Sequence, residues 1–199
     1  MNLLANHGYL PRSGRDISVP VVAAAVKEGY NWSPDVFDTI IHDIFFYNVS
    51  STETPTETFN LHDLGSAAGH NNIEVDGSLS RNDHDVTGDA NSFDASVWGP
   101  VAEDLGLHDE EGSRFVTIEV AARARANRQV AAQAANEHFN GSELQVGGSF
   151  GTSALYLTTL WDEEAQGARK DWVRIFFGEF SLQLLSPSFK ECRHFTDPR

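Results

Sequence analysis

The chain has 199 residues, 29 acidic against 14 basic, for a formal net charge of −15 and a sequence pI near 4.7. That balance disfavours nucleic-acid backbones and anionic membranes as partners, while 40% hydrophobic and 11% aromatic content marks a folded globule. One cysteine, Cys192, allows neither an intrachain disulfide nor a cysteine-based metal cluster.

In chain order, the opening MNLLANHGYLPRSGR lacks a basic region followed by an apolar run, so no signal peptide is expected. No window approaches the roughly 18 apolar residues of a membrane span. The expected location is cytoplasmic, or secreted if the N-terminus was trimmed. Sequons at Asn31, Asn48 and Asn140 decide nothing without a signal. Ser18 as cap and Pro20 in the first turn predict a helix through Val26, with Gly29 ending its apolar run. The Ser33-Pro34 pair predicts a second helix whose Val36, Phe37, Ile40, Ile41 and Ile44 face the core. Residues 49–92 read as loop, with short helices around Leu61–Leu64 and Ser78–Arg81. A helical pattern resumes from Asn91 to Leu105 through Phe93, Val97 and Val101.

The clearest predicted helix runs from Phe115 to Phe139, with Val120, Ala124, Ala131 and Ala135 along one face. Another follows in TSALYLTTLWDEEA, with Ala154, Leu155, Leu157 and Leu160 inward. WVRIFFGEF, from Trp172, reads equally as helix or buried strand. There is no internal repeat and no linker. The expectation is one mostly helical domain over residues 1–199.

Three segments, NLLANHGYLPRSGRDIS, IEVDGSLSRNDHDVTGDANSFD and GTSALYLTTL, resemble the fungal heme-thiolate peroxidases, the chloroperoxidase and unspecific peroxygenase family, in its shorter branch. They stand in the family's order and spacing, and the likeness covers about residues 1–180. The resemblance implies an all-α fold with a deep apolar cavity. It also implies heme held by a cysteine thiolate that favours O–O cleavage. That cysteine sits in a Pro-Cys-Pro segment upstream of the first motif. The sequence begins at Met1, about three residues after that point, and Cys192 lies at the other end.

Two positions inside the matched motifs also depart from the family. The short branch carries Glu-His-Asp where this chain reads Glu74-Val75-Asp76. The family's acid–base glutamate follows a glycine, and here Gly151 is followed by Thr152. Peroxide activation needs a proton taken from one oxygen and delivered to the other. An aliphatic side chain and a hydroxyl cannot do this.

The resemblance therefore implies a kept scaffold without its redox chemistry. The expected protein is a heme-free cyclase or isomerase, of pericyclase type, acting on a hydrophobic natural-product intermediate. Thr152 and Ser153 are its candidate catalytic hydroxyls, able to polarise a carbonyl. Val75, Thr152, Ser153 and Tyr156 are its candidate substrate-binding residues. The alternatives are a non-catalytic binder of small apolar ligands, or a heme-thiolate peroxygenase with its cysteine segment missing. No cofactor is expected, with heme as the alternative, and oligomeric state is left open.

Glu74, Asp76 and Ser78 match positions where the family holds magnesium beside a heme propionate. Oxygen ligands suit such a hard cation, but without the propionate they make a weak site. Glu74 and Asp76 bonding to loop amides is the competing reading. Asp83, Asp85, Thr87, Gly88, Asn91 and Asp94 approach calcium-loop spacing with Asp at the twelfth position, and read as coincidence. His7, His84 and His138 belong to no zinc pattern, and Arg81 reads as an internal ion-pair residue. No phosphate loop or nucleophile elbow is present.

Overall fold

The computed structural model describes residues 1–65, 75–109 and 111–177. Helices dominate, joined by two small antiparallel sheets. The N-terminal half holds α1 (Asn2–His7), β1 (Ile17–Ser18), α2 (Val19–Tyr30), α3 (Asp38–Phe46), β2 (Thr58–Phe59) and a 3-10 turn at Leu61–Gly65. Its core gathers Leu4, Ile17, Val22, Val26, Ile44 and Phe59, and β1 pairs β2 through Ile17 opposite Phe59. Gly29 lies inside α2 rather than at its end. A Cβ there would fall 2.5 Å from Leu4 Cδ2, so the glycine lets α1 cross α2. Asn31, at φ 55°, supplies the left-handed cap.

The second predicted helix starts four residues later than its Ser-Pro signal, as α3. Ile41 and Ile44 are buried as expected, but Val36 and Ile40 are each 37% exposed. The short helix expected at Ser78–Arg81 is not formed, and a single turn, α4 (His84–Thr87), stands after it instead. The reason is competition for backbone groups. The carbonyls of Gly77 and Ser78 accept from arginines, the Gly77 N–H goes to Asp83, and the Ser80 carbonyl accepts from Asp94 N.

The second half holds α5 (Ala95–Asp104), β3 (Phe115–Val116), α6 (Ile118–Ala135), α7 (Glu143–Thr159), β4 (Trp161–Asp162), β5 (Gly167–Arg169) and α8 (Lys170–Phe176). Asp94 caps α5 by accepting from Ser96 N at 2.8 Å, and Thr117 and Ser142 cap α6 and α7. The sheet order β3-β5-β4 ties the ends of α6 and α7 together. Trp98, Val101, Leu105, Val116, Ala124 and Val173 centre this core. Trp172 to Phe176 is helical, while residues from 178 onward lie outside the described residues.

Two inward faces differ from expectation. In α6 the buried residues are Ala121, Ala124, Arg125, Arg128 and Ala132, whereas Ala131 and Ala135 are exposed. In α7, which begins nine residues before Thr152, the buried residues include Ser149, Ser153, Tyr156 and Leu157, and Ala154 is exposed. Arginine and serine take core positions because each finds polar partners there. No described helix is long and apolar enough to cross a membrane.

Candidate functional site

The segment after the undescribed residues 66–74 passes between α6 and α7. It is fixed by a buried polar network. Asp83, 2% exposed, accepts from Gly77 N at 2.8 Å and from Asn136 Nδ2 at 3.3 Å, and lies 3.5 Å from Arg128 Nη2. Arg128 Nε donates to the Ser78 carbonyl at 2.7 Å. Gly77 adopts φ 82°, which a side chain would strain, and its carbonyl accepts from Arg125 Nη1. Asp76 is buried and accepts from Asn140 N at 3.0 Å.

Arg125 is the joint between this segment and α7. Its guanidinium is 3% exposed, and its Nε donates to Ser153 Oγ at 3.0 Å. Burial pulls Arg125 down to about 10, so it stays cationic at neutral pH. Tyr156, in the same buried layer, is pushed up to about 12 by burial, with Arg125 opposing the shift. Its ring packs edge-on against Phe177 at 5.1 Å.

Thr152 stands one residue from Ser153, on the other face. It is exposed, and its hydroxyl donates to the Ser149 carbonyl at 2.8 Å. Gly147, Gly148 and Gly151 share this exposed face with Phe150, which is 41% exposed. A Cβ on Gly147 or Gly151 would meet nothing within 4 Å, and one on Gly148 would lie 3.5 Å from Val75 Cγ1. Val75, half-buried, therefore borders the glycine face of α7.

The candidate residues thus divide. Val75 and Thr152 border the open face, while Ser153 and Tyr156 are turned into the core beside α6. Two concavities, of about 530 Å³ beside α1 and about 320 Å³ between α5 and α6, are lined by none of these four. Glu74 lies outside the described residues. The Ser78 carbonyl is already engaged by Arg128, and the Ser78 hydroxyl accepts from Ser80 N at 3.5 Å. Asp83 and Asp94, read as near a calcium loop, serve the ion pair and the α5 cap. Among the described residues no group of three or more His, Cys, Asp or Glu could hold a metal ion. The sequence reading overlooked Arg125, Arg128 and Asn136. The available signal was Arg-x-x-Arg falling on the stripe Ala121, Ala124, Ala132.

The profile described as Peroxidase, family 2, matches residues 1–192. The chain belongs to this heme-thiolate chloroperoxidase family. An aromatic peroxygenase from Coprinellus radians is 28% identical over 152 residues, covering 70% of this chain and 56% of that protein. The chain therefore spans little more than half the length of the curated relative it matches. The family implies heme, and the donor set tests that fit. The described residues include no cysteine, and Val75 and Thr152 offer no acid–base pair. His62 is engaged with Asp63 at 3.2 Å and His84 lies 3.7 Å from Asp85. Val75 and Thr152 do not fit the acid–base part of a peroxide cycle.

Proposed function

We propose that this member of the family transforms a small hydrophobic molecule without a peroxide cycle, as a cyclase or isomerase of pericyclase type. The observation that carries the reading is the pair Val75 and Thr152. The first is aliphatic, and the second spends its proton on its own helix at 2.8 Å. Neither can shuttle a proton between peroxide oxygens near neutral pH, whereas a cyclisation or isomerisation needs no oxidant and conserves every atom.

The glycines of α7 let a flat apolar body approach the helix backbone closely. The relative from C. radians is named an aromatic peroxygenase, and a flat apolar body suits the glycine face of α7 here. Holding a flexible substrate in a near-attack shape lowers a barrier by several kcal/mol without redox groups, against a ceiling of about 7–11 kcal/mol for full preorganisation. Thr152 can exchange its intrahelical bond for one to a substrate carbonyl at a net difference of about 1 kcal/mol. Ser153 does not touch the substrate in this reading. Held by Arg125, it positions Thr152.

A second reading, a heme-thiolate peroxygenase, is supported by the family match over residues 1–192. The two are separated by incubating the purified protein with heme, hydrogen peroxide and naphthalene. The expected rate is about 10²–10⁴-fold below that of a peroxygenase with its acid–base pair intact. Oxygen transfer at ordinary enzymatic rates, with a thiolate-type ferrous–CO band, would overturn the proposal in favour of the second reading. Ligand binding without product from any polyene or polyketide offered would favour a non-catalytic binder.

A further inference from the structure

The groove between α4, α5 and α6 has a feature that the α7 face lacks. It encloses about 320 Å³ with walls of Val86, Val97, Pro100 and Ala131, and Asp83 and Arg128 reach its lining from the buried network. Apolar walls with a few convergent polar groups are the usual make-up of a small-molecule site. The polar residues at the rim are already engaged. Asn82 Nδ2 donates to Asp94 Oδ2 at 3.2 Å, Ser96 Oγ to Asp94 Oδ1 at 2.6 Å, and Asn127 Nδ2 to Asp104 Oδ2 at 3.0 Å.

Arg128 is different. Its side chain is 8% exposed, and only Nε makes a hydrogen bond, to Ser78 O. Nη2 lies 3.5 Å from Asp83 Oδ1, an ion pair without hydrogen-bond geometry. Neither Nη1 nor Nη2 makes a hydrogen bond among the described residues. Its Nη atoms are not sealed from solvent, so their N–H groups can donate to an oxygen acceptor that enters the groove.

The charge around the groove decides which acceptor. Asp83 and Asp104 line it, and Asp76 and Asp94 also act on Arg128. Three carboxylates act on the guanidinium and a fourth, Asp104, lines the groove; together they repel an anion, so a neutral carbonyl oxygen suits the site better than a carboxylate. We infer that the α4–α5–α6 groove is a second small-molecule site, taking a neutral apolar molecule whose one carbonyl oxygen accepts from Arg128. Val75 and Thr152 take no part in it, so it stands whether or not the proposed reaction does.

The test titrates the full chain with acetophenone, ethylbenzene and benzoate, followed by NMR of the Val97 and Ala131 methyls and the Arg128 side chain. Acetophenone is expected to shift these signals saturably, with ethylbenzene and benzoate each at least about 10-fold weaker. Ala131→Trp, at an exposed α6 position, should fill the groove and weaken acetophenone at least about 10-fold. Should that variant melt early, Val86→Trp on the opposite wall, 41% exposed in the parent, makes the same test. Equal binding of ethylbenzene, tighter binding of benzoate, no saturable shift, or acetophenone binding that survives the filled groove would each overturn the site.

Discussion

On one face of α7, Ser153 and Tyr156 are sunk against α6, and Arg125 bonds Ser153 to the Gly77 carbonyl. On the other face, Gly147, Gly151 and Thr152 stand exposed, and beside two of them a Cβ would meet nothing. The buried face is charged and crowded, with Ser153 held by Arg125. The open face is neutral, and its Thr152 hydroxyl bonds within its own helix. Yet GTSALYLTTL, one unbroken motif of the family likeness, supplies both. Ser153 and Tyr156, which hold the scaffold, thus sit within about one helical turn of Thr152 on the open face. Because the two faces share a backbone but few partners, one can change while the other is kept.

The sharpest way to break this comparison is to attack the buried side. Asp83→Ala should leave Arg128 buried without its counter-ion and release Gly77 N. A loss of about 3–5 kcal/mol is expected, read by urea denaturation. Arg125→Ala follows, at about 2–4 kcal/mol, from a cavity and two acceptors left bare. A cost below about 1 kcal/mol for either variant would mean that the network is not what fixes residues 76–80.

Tyr156 sharpens the same point through pH. Its phenol ordinarily titrates at 10.0, and burial pushes it up to about 12. Below pH 10 it is neutral in both folded and unfolded chains. Between pH 10 and 12 the unfolded chain ionises first, so stability is lost as pH rises. Tyr156→Phe removes that loss. The stability difference between wild type and Tyr156→Phe should shift with alkalinity by about 2–3 kcal/mol across this window, at 1.36 kcal/mol per unit. Parallel curves would show that the ring is not desolvated.

The smallest effects are expected on the open face. Gly151→Ala should stabilise α7 by about 0.5–1 kcal/mol, since alanine restricts the unfolded chain and nothing opposes its Cβ. Thr152→Glu should leave melting within about 0.5 kcal/mol of the parent. Destabilisation by Gly151→Ala would show that something covers this face, and the contrast between the faces would fall.

Much of the architecture is legible in the amino-acid order. Ser18 and Pro20 announce α2, and Ile41 and Ile44 keep helical period into the core. Two kinds of error remain. Gly29 reads as a helix end because glycine is a poor helix former, yet it lies inside α2, where its missing Cβ leaves room for the Leu4 side chain of α1. Ser78–Arg81 reads as helical because local pattern cannot see that Arg125 and Arg128, about 50 residues later, will claim those carbonyls.

The candidate site shows the same division. The sequence by itself determined the family, through long motifs, and which side chains, Val75 and Thr152, stand inside those motifs. Side-chain chemistry is a local property, written at each position. Only the tertiary structure decided that Thr152 stands on the open face while Ser153 and Tyr156 belong to the core. It alone brought Asp83 to Arg128 and left that guanidinium beside an apolar groove. Those facts depend on which helix face meets which neighbour, and that is settled by packing and by competition for buried hydrogen-bond partners over long sequence separations.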